Sequence, residues 1–396
     1  MPVNSSPPKK IRPGSGTAAP RVLVVSRCAW TLYNFRAGFM EALGNRGADV
    51  LCGGASGDGY EGLLAKAGFR FIPLPVHKRA VNPLADLHLL FALLRWYRET
   101  RPDAVCHFTI KPVIYGTVAA WLARVPRIVN VVTGLGYVFT ESKITWLRRL
   151  VMLMYKASNS LADTVFFQNN DDLRFFVEHS LVRPSKARVL PGSGVDLDRF
   201  LPGPAPSGPP VALLVGRLLQ NKGVYEFVEA ARQVKRKMPE ARFQLLGRRD
   251  ERNPSVVPEA KLSEWIGEGV VEYLGEVADV RPVVRNASVV VLPSYREGIP
   301  RALLEAAAMG KPVVTTDAVG CRSAVDHEKT GLMVPVGDAN ALAAAMLRIL
   351  SDPQLASAMG AEGRKKIEAE YDENFVVDEI VEALHVFDGP AGPHPE

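Results

Sequence analysis

Two cations and two carboxylates carry the clearest chemistry in this 396-residue chain, all in its second half. In VALLVGRLLQNKG (211–223) an aliphatic run stops at Gly216. Arg217, Lys222 and Gly223 follow before a helical pattern opens at Val224. An arginine offers a bidentate fork and a lysine a compact mobile charge, so the pair at a strand end suits a clamp on a diphosphate; a solvated surface pair is the plainer alternative. In VVVLPSYREGIPRALLEAAAMG (289–310) a second run stops at Pro293, and a loop carries Glu297, Gly298, Ile299 and Pro300 into a helix that closes at Gly310. Pro300 suits the first helical turn. Amides over 298–301 would stand at the helix N-terminus, where free N–H groups and the macrodipole favour an anion. Gly298 lets the backbone approach closely. Glu297, in the loop, can accept hydrogen bonds from sugar hydroxyls, and Glu305, inside the helix, from ribose hydroxyls. A carboxylate on an otherwise apolar helix face needs a partner or a ligand, so a nearby arginine is the competing role for Glu305.

Other chemistries find less support. Cys28, Cys52, Cys106 and Cys321 are scattered without CxxC spacing or histidine neighbours, which speaks against a metal site or a disulfide framework. They are expected to be reduced, buried thiols of a cytoplasmic protein. Asp196 and Asp198 form a D-x-D after Gly194, and a turn or helix cap is the expected role. His107 stands alone at a strand end, where a satisfied structural imidazole is more common than a catalyst.

The motifs G-R-x-x-x-x-K-G at 216–223, E-G-x-P-x-x-x-x-E at 297–305 and T-G-x-x-V-P-x-G-D at 330–338 occur in order. Together they resemble the retaining glycosyltransferases of family 4, and the likeness extends over nearly the whole chain. The resemblance implies the GT-B fold, with Arg217 and Lys222 holding the diphosphate of a UDP-sugar without a metal. It also implies Glu297 at the transferred sugar and Glu305 at the ribose, with Gly216, Gly298, Ile299 and Pro300 completing the donor site. No cofactor is expected beyond the UDP-sugar co-substrate.

In the first half, LYNFR (32–36), HFTIKPVIYG (107–116) and VTGLGYVF (132–139) resemble a subgroup that adds sugars to polyprenyl-diphosphate-linked intermediates. That subgroup includes N-acetylgalactosaminyltransferases acting on a diacetylbacillosamine-bearing lipid. Arg36, Lys111, Tyr115, Thr133 and Gly134 become acceptor-binding candidates on that resemblance; packing and surface charge are the alternatives. The chain departs from many family members in having SRCAWTLY (26–33) in place of a glycine-rich loop and Thr133 in place of a histidine. No catalytic role of that histidine transfers.

These residues need strand ends to hold them. Short β-branched runs at 21–26, 49–52, 70–73, 104–108, 127–132 and 164–168 alternate with helix-sized segments, the rhythm of a parallel sheet. A second alternation has strands at 211–215, 243–246, 270–274, 289–292 and 313–316. The expected fold is therefore α/β, two Rossmann-like doubly wound parallel-sheet domains facing a deep cleft, with ligands outside the carboxyl ends of the strands. The expected divisions are a disordered tail (1–20), an acceptor-binding domain (21–200), the linker LPGPAPSGPP (201–210), a nucleotide-sugar-binding domain (211–370) and a C-terminal helix (371–388). That last helix is expected to pack back on the first domain.

Composition agrees with a globular protein, 47% apolar and 23% charged. The net charge of +6 is uneven: residues 1–205 hold 26 Lys and Arg against 14 Asp and Glu, a balance of +12, and the rest hold 22 against 28, a balance of −6. Without nucleic-acid motifs, a basic first half suggests a phosphate-bearing substrate or an anionic membrane surface. No uncharged apolar run reaches the roughly 18 residues of a spanning helix, and no secretion signal is evident. The segment 143–161 (KITWLRRLVMLMYKASNSL) mixes bulky apolar side chains with Lys and Arg, as an interfacial helix would.

The expected function is transfer of a sugar, an N-acetylhexosamine or a hexose, from a UDP-sugar to a lipid-linked saccharide acceptor in cell-surface polysaccharide or glycan biosynthesis. The expected place is the cytoplasm, peripheral on the inner face of the cell membrane, with no nucleic-acid partner and no bound metal. A UDP-sugar epimerase of the same architecture and a non-catalytic nucleotide-sugar-binding protein are the rivals.

Overall fold

The structure, a computed structural model, describes residues 19–76, 82–134, 145–204, 206–251 and 253–387. They form two units. One runs to Ser193 and takes in the chain from Asn374 onward, and the other is Gly194–Glu373.

The N-terminal unit runs β1 (Arg21–Cys28), α1 (Ala29–Asn45), β2 (Asp49–Ala55), α2 (Glu61–Lys66), β3 (Arg70–Pro73), α3 (Pro83–Thr100) and β4 (Ala104–Phe108). A single π-helical turn (Pro112–Gly116) leads into α4 (Thr117–Leu122), β5 (Arg127–Val132), α5 (Thr145–Leu161), β6 (Thr164–Phe167), α6 (Asn170–Glu178) and β7 (Ala187–Val189). All seven strands pair in parallel, in the order β3-β2-β1-β4-β5-β6-β7. A parallel strand covered by helices on both faces must be apolar on both, and Val22, Leu23, Val24 and Val25 of β1 are fully buried. Leu23 and Val25 pack with α3 and α5, Val22 and Val24 with α1. The expected 1–20 tail, all but its last two residues, lies outside the described residues, as do 135–139 of the segment VTGLGYVF and 143–144 of the segment expected as a helix.

The C-terminal unit repeats the plan with β8 (Val211–Val215), α7 (Val224–Lys237), β9 (Arg242–Leu246), α8 (Glu259–Gly267), β10 (Glu272–Tyr273), α9 (Arg281–Arg285) and β11 (Val289–Leu292). It continues through α10 (Arg301–Ala308), β12 (Val313–Thr316), α11 (Cys321–Ala324), β13 (Gly331–Val334), α12 (Ala339–Ser351) and α13 (Pro353–Glu370). Its strand order is β10-β9-β8-β11-β12-β13. Helices α7 and α12 cover one face and α10 and α13 the other.

The stretch 201–210 does not separate the units. The boundary comes earlier, after Ser193, because Val195 and Phe200 are buried in the C-terminal core with Leu213 and Leu303. The Val195 N–H also donates to the Tyr371 carbonyl at 2.8 Å. The last helix, α14 (Glu373–Leu384), buries Val376, Ile380 and Leu384 with Val22 and Val24 of the N-terminal unit. Strands β7 and β13 escape the sequence pattern because ARV and GLMV are too short to show a period; pairing with β6 and β12 makes them strands. The D-x-D is a turn, with Asp196 Oδ1 accepting from the amides of Asp198 (3.1 Å) and Arg199 (2.9 Å).

His107 on β4 is fully buried. Its Nε2 lies 2.9 Å from the Tyr97 hydroxyl and its Nδ1 3.1 Å from Asn130 Oδ1, which also accepts from Thr117 Oγ1 at 2.8 Å. Both ring nitrogens are thus satisfied inside the core. Burial lowers the imidazole pKa from 6.5 to about 4, against a smaller opposing effect of the Asn130 hydrogen bond. The folded state therefore binds its proton less readily than the unfolded chain does. His107's contribution to stability is complete above about pH 6.5 and is lost as pH falls towards about 4, in total about 3 kcal/mol. Urea midpoints of wild type and His107→Gln at about pH 7 and about pH 4.5 test this. The variant is expected to lose less stability over that interval, and equal losses would remove His107 as the cause.

Candidate active site

In the C-terminal unit β8 and β11 are neighbours although β9 and β10 intervene in sequence, so the direction of strand progression reverses between them. A switch point of this kind leaves a crevice outside the carboxyl ends of the strands. The loops after β8, β11 and β12 meet there. Gly223 has φ +74°, and a Cβ on it would stand 2.0 Å from the Pro293 carbonyl oxygen. The neighbouring Asn221 carbonyl accepts from the Tyr295 amide at 3.0 Å and lies 3.1 Å from Ser294 Oγ. On the other side, Gly320 has φ +80°, and a Cβ there would lie 2.4 Å from the Glu297 carbonyl oxygen. The Glu297 amide donates to Val319 O at 3.0 Å. Three loops are stitched backbone to backbone, and two glycines make the approach feasible.

The side chains then converge. Lys222 Nζ donates to Glu297 Oε1, and Ser294 Oγ donates to the same oxygen at 2.7 Å. Both members of the ion pair are mostly buried, with side chains 18% and 12% exposed. An ammonium carries three donors, so one spent on Glu297 leaves two for another acceptor. Arg217, at the end of β8, lies 3.7 Å from Asp250 in the loop after β9 and stays 41% exposed. The same loop carries Arg248 and Arg249; Arg249 pairs with Glu259 and donates to Val257 O at 3.1 Å. Gly216 continues the sheet edge, its amide donating to Leu246 O at 2.9 Å.

Gly298 and Ile299 lead from this pair to α10, with Ile299 partly buried against the core. Pro300 is the N-cap of that helix and not part of its first turn; its carbonyl accepts from Leu303 N at 2.9 Å. One turn in, Glu305 Oε1 accepts from Arg301 Nε at 2.6 Å, so the competing arginine partner is present. Cys321 is fully buried close by. Burial first, and the Glu297 charge second, push its thiol up to about 12, which leaves it protonated and unfit as a nucleophile. Sequence reasoning missed Ser294, Asp250 and Gly320. Only Gly320 left a signal, as a glycine just past a strand.

In the N-terminal unit Lys111 and Tyr115 come together on a residue the sequence did not single out, Asp86 of α3. Lys111 Nζ lies 2.6 Å from Asp86 Oδ1, and the Tyr115 hydroxyl donates to Oδ2 at 3.1 Å. The hydroxyl's pKa is raised by burial first and by the Asp86 charge second. Just before them Thr109 has φ +72°, and its buried hydroxyl finds no hydrogen-bond partner among the described residues. Arg27 Nε, at the end of adjacent β1, is likewise buried without one. Strain and unspent polar groups at strand ends mark functional sites more often than stable cores. Arg36 is not part of this group. It belongs to α1, on the other face of the sheet, and its guanidinium is buried 4.0 Å over the Phe108 ring. Thr133 and Gly134 follow β5, half-buried, with Gly134 at φ +115°.

Comparison with known proteins matches residues 209–352 to a family model described as glycosyl transferases group 1, and residues 36–193 to a glycosyl transferase 4-like domain. Among curated proteins, the chain is 30% identical over 371 residues to the N,N'-diacetylbacillosaminyl-diphospho-undecaprenol alpha-1,3-N-acetylgalactosaminyltransferase of Campylobacter jejuni, covering 90% of this chain and 96% of that one. It is 26% identical to the UDP-Gal:alpha-D-GlcNAc-diphosphoundecaprenol alpha-1,3-galactosyltransferase of Escherichia coli, over 74% of this chain and 78% of that one. Among solved structures, Anabaena HepE in complex with UDP superposes with a TM-score of 0.74 at 18% identity, over 92% of this chain and 99% of that one. The fold of the described residues is that of these GT-B enzymes.

The loop stitching makes a prediction of its own. Gly223→Ala should cost about 2 kcal/mol or more, from left-handed backbone strain plus collision with Pro293 O. Gly267→Ala, at a helical position with nothing within 4 Å, should be neutral or stabilising by up to about 1 kcal/mol. Thermal unfolding of both variants checks it, and a Gly223→Ala protein as stable as wild type would contradict the close approach.

Proposed function

Because this chain belongs to glycosyltransferase family 4, a 4-like domain followed by a group 1 domain, we propose that it transfers a hexose or N-acetylhexosamine from a UDP-sugar to a polyprenyl-diphosphate-linked saccharide with retention at the anomeric carbon. The observation that carries the reading is the Lys222–Glu297 pair across the β8/β11 switch point, with Arg217 at the end of β8. Arg217 and the two remaining N–H donors of Lys222 bind the diphosphate, Glu297 faces the transferred sugar and Glu305 the ribose. Gly216, Gly298, Ile299 and Pro300 shape the backbone around them. In the reaction the acceptor hydroxyl oxygen bonds to the anomeric carbon as the bond to the UDP phosphate oxygen breaks. Its proton passes to that leaving oxygen. Fixed cations at the developing negative charge stabilise the transition state, and they supply the charge a divalent ion would otherwise provide.

Lys111 and Tyr115, held on Asp86, are the acceptor-side residues, with Thr133 and Gly134 at the neighbouring strand end. Relatives whose names specify diphospho-undecaprenol acceptors support a lipid-linked substrate here. No helix among the described residues is long and apolar enough to cross a membrane. The enzyme's place in this reading is peripheral, on the cytoplasmic face.

Acceptor-dependent UDP release, measured over a panel of UDP-sugars with membrane lipid extract added, tests the function; release that ignores the acceptor would exclude transfer. EDTA should leave the rate unchanged. For the donor site, Arg217→Ala and Lys222→Ala should each weaken UDP binding about tenfold or more, as loss of a charged hydrogen bond worth roughly 1.5–3 kcal/mol requires. Glu305→Gln should weaken UDP and donor alike. Glu297→Gln should leave UDP affinity unchanged or tighter, since Lys222 is released to the phosphates, and lower turnover instead. Calorimetry with UDP beside steady-state rates separates the two glutamates, and equal loss of UDP affinity in both would overturn their roles.

A further inference from the structure

Helices α3, α4 and α5 form one layer on one face of the N-terminal sheet, with α4 packed against both of the others. Their inner stripes are core: Leu89 and Leu93 of α3, Ala119 and Ala120 of α4, Leu147 and Val151 of α5. Their outer stripes are apolar as well. Leu84, Leu87 and Phe91 repeat at i, i+3, i+7 along α3, Trp121 stands on α4, and Trp146 and Leu153 share one side of α5. Leu84 is 80% exposed, Trp146 69% and Leu153 64%. Of the eleven exposed large apolar side chains described in this unit, eight lie on these three helices, so the exposure is concentrated in one layer. Helices apolar on both sides at a protein surface mark a place where something else covers them.

Charge selects the occupant. The three helices carry Arg95, Arg98, Arg148, Arg149 and Lys156 against two acids. Asp86 is buried under Lys111, and Glu99 is paired with Arg95. A shallow depression lined by Phe91, Leu94, Arg95, Arg98 and Glu99 sets apolar groups beside two guanidinium groups and the one carboxylate already paired with Arg95. A second copy of this chain would bring cations against cations, whereas an anionic bilayer offers phosphates above an apolar interior. Two of the outer side chains are tryptophans, which suit the headgroup boundary because the ring is apolar and its N–H polar.

We infer that the outer face of α3, α4 and α5 docks on an anionic phospholipid bilayer. Its Leu, Phe and Trp side chains enter the headgroup–acyl boundary, and its Arg and Lys side chains stay at the level of the lipid phosphates. The inference rests on the lipid-linked acceptor of the proposed function and adds the surface that brings the enzyme to it. Asp86 lies within one turn of Leu84 and Leu87, so docking through α3 sets the Lys111–Asp86–Tyr115 cluster beside the headgroups. A diphosphate anchored in the bilayer emerges at that level.

The test uses the full chain with vesicles of phosphatidylcholine, alone or mixed with phosphatidylglycerol. Wild type should float with the mixed vesicles at low salt, not with phosphatidylcholine alone, and be released as salt rises, since charges are screened over about 8 Å at physiological ionic strength. Brominated lipid should quench its tryptophan fluorescence. The pair Phe91→Ser with Leu153→Ser should lower binding about tenfold or more, as should Arg149→Glu with Lys156→Glu, while UDP affinity and the circular dichroism spectrum stay as in wild type. Trp121→Phe with Trp146→Phe should abolish most of the quenching. Flotation and quenching unchanged in all three double variants would overturn this surface and leave the transfer reaction standing. Acceptor-independent UDP release would sink the reaction instead. A wild-type dimer that the serine variants convert to monomer would reassign the face to self-association.

Discussion

A single carbonyl oxygen, that of Pro293, leaves no room for a side chain at residue 223. Because Gly223 accepts that crowding, the loop after β8 can lie directly on the loop after β11, and everything at the switch point follows from this contact. Asn221 then reaches Ser294 and Tyr295, and Lys222 reaches Glu297. Gly320 makes the corresponding contact on the other side of Glu297. A glutamate in an eight-residue loop between strand and helix would otherwise sample many positions. Here its amide is bonded to Val319, its carbonyl lies against Gly320 and its carboxylate is held by Lys222 and Ser294, and that fixes a charge in space before any ligand arrives.

The charged candidates Arg217, Lys222, Glu297, Glu305 and Lys111 share a second trait, in that each is already paired. Lys222 sits on Glu297, Arg217 near Asp250, Arg301 on Glu305 and Lys111 on Asp86. A half-buried charge without a counterion would be costly, so these pairs keep the sites compatible with a folded core. In the proposed reaction an incoming diphosphate would compete for the cations of the donor site, and exchanging carboxylate for phosphate would keep much of the electrostatic energy level between the two states. The buried thiol of Cys321 and the neutral imidazole of His107 stay outside this economy, each kept in its uncharged form by burial.

The N-terminal unit solves a different problem with the same architecture. Its sheet is apolar on both faces, and α1 and α14 cover one side while α3, α4 and α5 cover the other. Beside the buried His107 cluster, polar groups gather at the carboxyl edge, where Lys111 and Tyr115 meet Asp86, and an apolar outer stripe on α3 begins within a turn of them. Polar chemistry and an apolar surface side by side suit a substrate that is itself half lipid and half phosphate-sugar.

Much of this was legible in the residues. Near-continuous aliphatic runs of four to eight residues can be buried on both faces only as parallel strands, and helix-sized intervals between them leave few topologies. The motifs at 216–223 and 297–305 marked their places after β8 and β11, because glycines and prolines punctuate strand ends in any sequence. Arg301 and Glu305 are four apart on one helix, so their pairing was within reach as well. What the tertiary structure decided was which distant group each charge would meet. Lys222 and Glu297 are 75 residues apart, Lys111 and Asp86 25 apart. The first pairing exists only once β8 and β11 become neighbours in the sheet, and the second only once α3 packs back against the end of β4. The same holds for Arg36, an acceptor-binding candidate in the sequence whose guanidinium is buried over the ring of Phe108. It holds also for the boundary after Ser193, set by the burial of Val195 and Phe200 and not by the prolines that follow. Local sequence governs the period of burial along each element. Long-range register decides who faces whom, because strand order and packing depend on contacts that no window of neighbouring residues contains.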